Sequence, residues 1–244
     1  MIKNSSPGYP YYCRMQEIAC DLNRCFLCRH CLPEWKEVIA LRKKTFLIKK
    51  GKPLFREGEK VNGIFFLYSG TVKVYMPWKE KEMILRWARA GDIVGHRGLG
   101  GGDIYPVSAS ALEDTTACFI SNDFLEATLK TNPSLTYTLM HFYAAELQKA
   151  EQRMRDLTHM EVKGRVAGAL LEIAALFGLD KDRYISVALT QQDIASYTGT
   201  TYETVYKFFV ELKKRKVLST SGKSIRIDKP ELLRNFSDNP IKFQ

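Results

Sequence analysis

The chain is 244 residues long, 45% hydrophobic, and carries a formal net charge of +10. That length allows two domains with real cores, and the excess of lysine and arginine favours a polyanionic partner. No apolar run reaches the ~18 residues that span a bilayer, and the start MIKNSSPGYPYYC lacks the apolar stretch of a signal peptide. A cytoplasmic protein without membrane contact is therefore expected, with its six cysteines reduced or bound to metal.

Residues 1–12 contain Pro, Gly and Ser and read as an unfixed lead-in. Five cysteines follow closely: Cys13, Cys20, Cys25, Cys28 and Cys31. The spacing C-x2-C-x2-C brings three thiols within reach of one small centre, and Cys20 adds a fourth close by. Thiolates so spaced suit zinc or an iron–sulfur cluster. The plainer readings are a zinc knuckle that staples the N-terminus, or thiols that hold no metal.

The segment EWKEVIALRKK then predicts one amphipathic helix. From residue 46 to 120 the character changes to short apolar runs, FLIKK, IFFLYSG, TVKVYMP, MILRWARAGDIV, VSASAL and ACFI, separated by Gly-bearing turns. Such punctuation predicts an antiparallel roll or barrel. Residues 122–158 read as helix, restarted at Pro133 with Asn132 as its cap. Leu135, Leu139, Phe142, Leu147, Met154 and Leu157 give it a long apolar stripe, more than an intrachain core needs. KGRVAGALLEIAALFG predicts a strongly apolar helix, and FSDNPIKFQ a loose tail.

The most informative stretch is 189–227. Thr190 with Asp193 can cap one helix, with Ile194 and Tyr197 facing inward, and Thr200 with Glu203 can cap a second. Gly199 lies between, where a sharp turn needs a residue tolerant of positive φ. Val205, Phe208, Phe209 and Leu212 recur at helical spacing as the buried stripe. Thr201, Tyr202, Glu203, Tyr206 and Lys207 are left facing outward. The basic run Lys213-Lys214-Arg215-Lys216 meets the negative end of the helix dipole, and strands around Ser221-Gly222 form a wing. This is a winged helix-turn-helix, which sets the start of its second helix against base edges in the major groove.

LTQQDIASYTGTTYETVYKFFVELKKRKVL resembles the DNA-binding domain of the Crp/Fnr family of bacterial transcription regulators. Phe55-Arg56-Glu57-Gly58-Glu59, Leu67-Tyr68-Ser69-Gly70-Thr71-Val72 and Gly91-Asp92-Ile93-Val94-Gly95 are similar to the turns of the family's cyclic-nucleotide-binding β-roll. The resemblance covers about residues 46–236 and implies an α+β protein. Its expected parts are a cysteine-rich segment (1–34), a β-roll sensor (35–121), a dimerisation helix (122–160), a winged helix-turn-helix (161–236) and a tail (237–244). It also implies a homodimer on a near-palindromic double-stranded operator, and contact with RNA polymerase if the protein activates. By position, Tyr202, Glu203 and Lys207 would read bases, with Tyr206 nearby. Glu can accept from cytosine N4 and Lys can donate to guanine. Thr190, Gln192, Thr201 and Lys223 fit phosphate contacts.

Two inputs of the family bear on the roll. In GHRGLGGGDIYPVSASAL, His96 stands near the Glu position of cyclic-AMP-binding members and Pro106-Val107 or Ser108-Ala109 near their Arg-Ser pair, while the one nearby cation, Arg97, is out of register. Cyclic AMP is not the expected ligand. In the oxygen-responsive, FNR-like branch, three N-terminal cysteines and a distant roll cysteine hold a [4Fe–4S] cluster. Pro106-Val107-Ser108-Ala109-Ser110-Ala111-Leu112-Glu113-Asp114-Thr115-Thr116-Ala117-Cys118 puts Cys118 at that distant position. The implied ligands are Cys25, Cys28, Cys31 and Cys118, with Cys20 as substitute, although C-x4-C-x2-C-x2-C departs from the branch's C-x2-C-x5-C. The alternatives are zinc or no metal at the cysteines, and a roll that binds haem, NO or a small organic effector. No paired acid/base constellation points to an enzyme; His30, His96, His141 and His159 are scattered.

Overall fold

The computed structural model describes residues 13–15, 23, 25–99 and 102–237, and divides the chain into two compact units, Met1–Ala145 and Glu146–Gln244. The expected lead-in, Cys20 and the last seven residues lie outside the described residues, as does the side chain of Cys13. No helix among the described residues is long and apolar enough to cross a membrane.

The first unit is an antiparallel roll of two sheets. One runs in the order β1 (Cys13–Met15), β2 (Lys44–Ile48), β9 (Thr115–Ser121), β4 (Gly63–Ser69) and β7 (Ile93–Val94). The other runs β3 (Pro53–Phe55), β8 (Ser108–Ala111), β5 (Thr71–Trp78) and β6 (Lys81–Arg89). The apolar runs of β4 and β9 are continuous because both of their faces are covered. On β4, Phe65 and Leu67 point into the roll while Ile64 and Phe66 point out; on β9, Ala117 and Phe119 point in while Cys118 and Ile120 point out. Gly70 makes the β4–β5 turn at φ 88°, where a Cβ would stand 2.4 Å from Thr115 Oγ1.

Aromatic side chains fill the inside of the roll. Phe55 stacks on Tyr105 at 4.0 Å and lies 5.9 Å from Phe65, which meets Phe119 at 5.0 Å. The Tyr105 hydroxyl donates to the Gly63 carbonyl at 2.5 Å. His96 is buried, and the Ser108 hydroxyl accepts from the Glu57 N–H at 2.9 Å. Ser108, a position compared with the phosphate cassette, is thus taken up by the roll's own hydrogen bonding.

Helices cover the outward face. α1 (Phe26–His30), α2 (Trp35–Arg42), α3 (Asn122–Thr131) and the first turns of α4 (Pro133–His159) contribute Leu27, Ile39, Phe124, Leu125, Leu135 and Leu139 to a second core over Ile64, Phe66, Ile93 and Ile120. The helical stretch expected over 122–158 restarts at Pro133, as the sequence predicts, and forms two helices. Proline disfavours the helical conformation in the residue before it, and Asn132 sits at φ −120°, ψ 79°. Its side chain does not cap α4, as expected from sequence; it bonds Leu32 and Thr128 instead.

The second unit takes the remainder of α4, then α5 (Val162–Phe177), α6 (Gln191–Thr198), α7 (Tyr202–Lys214), the antiparallel hairpin β10 (Leu218–Ser221) and β11 (Ser224–Ile227), and α8 (Pro230–Arg234). Val166, Leu170, Ile173, Ile194, Val205, Phe208, Phe209 and Leu212 are buried. Phe236, expected in the loose tail, is not loose. Phe236 packs edge-on against Phe208 at 5.2 Å, because α8 turns it back onto α7.

Candidate nucleic-acid interface and cysteine centre

In α6 the expected cap forms as a reciprocal pair. The Thr190 hydroxyl accepts from Asp193 N–H at 3.0 Å and donates to Asp193 Oδ2 at 2.5 Å, and the Thr190 N–H donates to the same oxygen at 2.9 Å. Its hydroxyl proton is therefore committed to Asp193, which removes Thr190 as a phosphate donor and leaves it the task of starting the helix. Gly199 ends α6 at φ 64°, ψ 44°. The Thr200 N–H then donates back to the Ala195 carbonyl at 3.0 Å, a helix-closing bond of the Schellman kind.

That bond moves the start of the second helix. Thr200 is consumed in closing α6, so the cap of α7 is Thr201, whose hydroxyl accepts from Thr204 N–H at 3.3 Å. The Thr200–Glu203 capping box expected from sequence does not form. Glu203 instead stands exposed in the first turn of α7, with Tyr202, Tyr206 and Lys207 exposed beside it. Tyr202 and Tyr206 stack at 6.2 Å with 24° between their planes, one turn apart. The opposite face buries Val205, Phe208, Phe209 and Leu212 as the spacing requires.

The wing hairpin pairs Ser221 with Ser224 across Gly222-Lys223, and Gly222 takes φ 57°. Lys223 is exposed at its tip. A cleft lined by Thr190, Gln191, Tyr202, Gly222 and Lys223 lies between the starts of both helices and the wing. Gln192 is exposed on α6, with its amide 3.4 Å from Ser196 Oγ. From 189 to 227 the chain carries seven Lys or Arg against three Asp or Glu, so this surface suits a polyanion.

Two arginines that sequence reasoning missed hold the turn. Arg165 Nε donates to the Thr198 carbonyl at 3.0 Å and Nη1 to the Met160 carbonyl at 2.7 Å. Arg153, on α4, donates to the Tyr197 carbonyl and lies 4.2 Å over the Tyr197 ring, whose hydroxyl donates to Glu172 at 2.9 Å. Burial lowers the Arg153 pKa, but the carbonyl, the ring and nearby Glu172 offset its desolvation. Cations at the carbonyl end of α6 also match its dipole. No local motif announces such long-range partners.

In the first unit α1 sets Cys25, Cys28 and Cys31 three residues apart, at its N-cap, middle and C-cap. The Cys28 N–H donates to Cys25 Sγ at 3.4 Å, and Cys31 Sγ lies 3.7 Å from the Cys28 carbonyl. All three are buried in the same core cluster as Cys118, which β9 turns outward opposite Phe66 of β4. The four are thiols, not disulfides. Burial raises the Cys31 pKa, and Lys36 opposes this. Among the described residues no three Cys, His, Asp or Glu side chains converge on one point as single-ion ligands.

On α4 the structure divides the stripe expected to form the dimer contact. Leu135 and Leu139 are buried in the core of their own unit and Phe142 packs against it, while Leu157 is half-buried near Gly199. Leu147 (60% exposed) and Met154 (64%) face outward. Tyr137 (61%) and Met140 (57%), missed in the sequence, complete an outward series at 137, 140, 144, 147, 151 and 154. These positions alternate in steps of three and four, with Glu151 the charged member of the series.

Residues 46–132 match the cyclic nucleotide-binding domain and residues 164–236 the Crp-like helix-turn-helix domain. The chain is 29% identical over 238 residues to the fumarate and nitrate reduction regulatory protein of Yersinia pestis, covering 96% of this chain and 94% of that protein. It is 28% identical over 213 residues to the transcriptional activator protein anr of Pseudomonas aeruginosa, covering 83% and 86%. The structure of FixK2 from Bradyrhizobium japonicum superposes with a TM-score of 0.71 at 25% identity, over 81% of this chain and 98% of that one. These relatives are regulators and not enzymes. With its β-roll, long helix and DNA-binding winged helix-turn-helix, the chain belongs to the Crp/Fnr family of transcription regulators.

Proposed function

We propose that this regulator acts as a homodimer and senses oxygen, NO or redox state through a [4Fe–4S] cluster held by Cys25, Cys28, Cys31 and Cys118. The observation that carries the proposal is the burial of Cys118 in one cluster with three cysteines from the far N-terminal part of the chain. Bound there, the cluster would supply a charged centre that oxidants dismantle. The chain's own residues do the rest. Phe26 and Phe142, 5.6 Å apart edge to face, pack with Trp35 and Leu99 against the core cluster that holds the thiols.

Dimerisation would use Tyr137, Met140, Leu147 and Met154, whose exposure leaves an apolar seam along α4. A two-fold dimer presents two α7 helices to a near-palindromic operator, with Tyr202, Glu203, Tyr206 and Lys207 at base edges. Gln192, Thr201 and Lys223 take phosphates, and RNA polymerase is the further partner if the outcome is activation. The expected parts 1–34, 35–121, 122–160 and 161–236 then serve as ligand segment, sensor, dimer element and reader.

The test is anaerobic purification with iron, acid-labile sulfide and zinc measured per chain, and an absorption spectrum before and after air. About four iron and four sulfide with a visible band that bleaches in air is the expected result. One zinc and no iron would make the cysteines structural and overturn the sensing proposal. For the dimer, Met140→Asp with Leu147→Asp should yield a folded monomer by sedimentation.

A further inference from the structure

We infer that Asn132 is a positioning residue that transmits the state of the cysteine centre to the start of α4. The inference rests on the proposed sensing function and concerns how that site is read out. The peptide that directly follows Cys31 is tied to the α3–α4 break by one bond: the Leu32 N–H donates to Asn132 Oδ1 at 2.8 Å. Asn132 is 1% exposed, and its amide nitrogen donates to the Thr128 carbonyl at 2.8 Å. Its own carbonyl accepts from the Thr136 N–H at 3.1 Å, in the first turn of α4. One residue therefore bonds the cysteine segment, the end of α3 and the start of α4.

A second tether runs beside it. Trp35 Nε1 donates to Thr128 Oγ1 at 3.1 Å, and that hydroxyl donates to the Phe124 carbonyl at 2.7 Å. An amide suits the central position because it accepts with one end and donates with the other, and a buried polar group left without partners would be costly. Pro133 makes the break a fixed kink, not a continuous helix. A displacement of the peptide after Cys31 is thus delivered to the first turn of α4. Outward Tyr137 and Met140 lie within the next two turns, and the helix carries a tilt along its length.

The experiment measures the dimer dissociation constant of the full chain, cluster-loaded and after cluster removal by air and chelator, with iron and sulfide assayed in each sample. Asn132→Leu removes both side-chain bonds while keeping four side-chain heavy atoms branched at Cγ. Leu32→Pro deletes the same N–H from the other side, and Cys31 already has the extended backbone (φ −80°, ψ 161°) that a following proline requires. Wild type is expected to lose dimer affinity on cluster removal. Both variants are expected to hold wild-type iron while that shift shrinks at least tenfold. A variant that holds iron and shifts as wild type does overturns the inference and leaves the sensing proposal intact. A wild-type chain without iron and sulfide overturns the sensing proposal and the inference with it. If Asn132→Leu fails to fold or load, Leu32→Pro decides by the same criterion.

Discussion

Glu203 offers a sharp separation between reading bases and holding the fold. Because Thr201 caps α7, replacing Glu203 by alanine breaks no capping bond. The loss of first-turn negative charge costs about 0.3–1 kcal/mol of stability at most. Thr201→Ala, by contrast, removes the cap and costs about 1 kcal/mol. If Glu203 accepts from a cytosine, its loss removes about 1–3 kcal/mol of discrimination, roughly a 5- to 150-fold relaxation at one base pair. Lys223 lies on the wing tip, exposed. Its replacement by alanine should weaken every sequence alike and reduce the slope of log affinity against log salt by about 0.9.

The assay is selection on a randomised operator library by the three variants, followed by salt titrations on the selected site and on one scrambled sequence. Thermal melts run alongside. Glu203→Ala should flatten preference at one symmetric pair of positions with Tm almost unchanged. Thr201→Ala should lower Tm while keeping the same preferred bases. Uniform weakening by Glu203→Ala across the library would refute the placement of α7 in the major groove, as would a changed base preference in Lys223→Ala.

His96 is neutral in the folded chain, its pKa lowered to about 3 first by burial and then by Arg86 and Arg97, with Phe142 and Tyr143 of α4 packed on its other faces. The unfolded chain takes up that proton near pH 6.5, so stability is present above pH 6.5 and falls by about 1.4 kcal/mol per unit as pH drops toward 3. Urea midpoints at pH 7, 6 and 5 should show this slope, and His96→Gln should flatten it. Gly70→Ala forces a side chain into φ 88° against Thr115; a loss of about 2–5 kcal/mol is expected, seen as a lower urea midpoint. Arg165→Ala frees the Thr198 and Met160 carbonyls. It should weaken operator binding by about 2 kcal/mol in a titration while the dimer constant stays as in wild type.

The parts of this fold legible in the sequence are those fixed by neighbours. Thr190 and Asp193 are three residues apart and cap each other, and Gly199 can take positive φ where Thr or Tyr resist it. The second cap falls one residue later than the sequence suggests, because Thr200 and Thr201 are equally good capping residues. Only the bond from Thr200 back to Ala195 decides between them, and that bond exists only once α6 has ended. The α4 stripe fails for a related reason. Helical periodicity reveals that apolar faces exist, but Leu135 and Leu139 serve one face while Tyr137 and Met140 serve another. Which face meets the roll depends on the kink at Asn132, and that kink is held by Leu32, a hundred residues earlier.

Cys118 lies between these cases. Its position in the chain marks it, but its meaning turns on the pleat of β9. Successive strand residues alternate faces, so a slip of one residue would send Cys118 into the aromatic interior beside Phe65 and leave Ala117 against the helices. The register that sets Phe66 opposite Cys118 prevents this. It is itself held by Ala117 and Phe119 filling the roll and by Ile120 beneath α3. A thiol meant only as a small apolar filler would serve on either face. This one falls on the face where three other buried thiols lie, and the same packing that closes the roll brings them into one cluster.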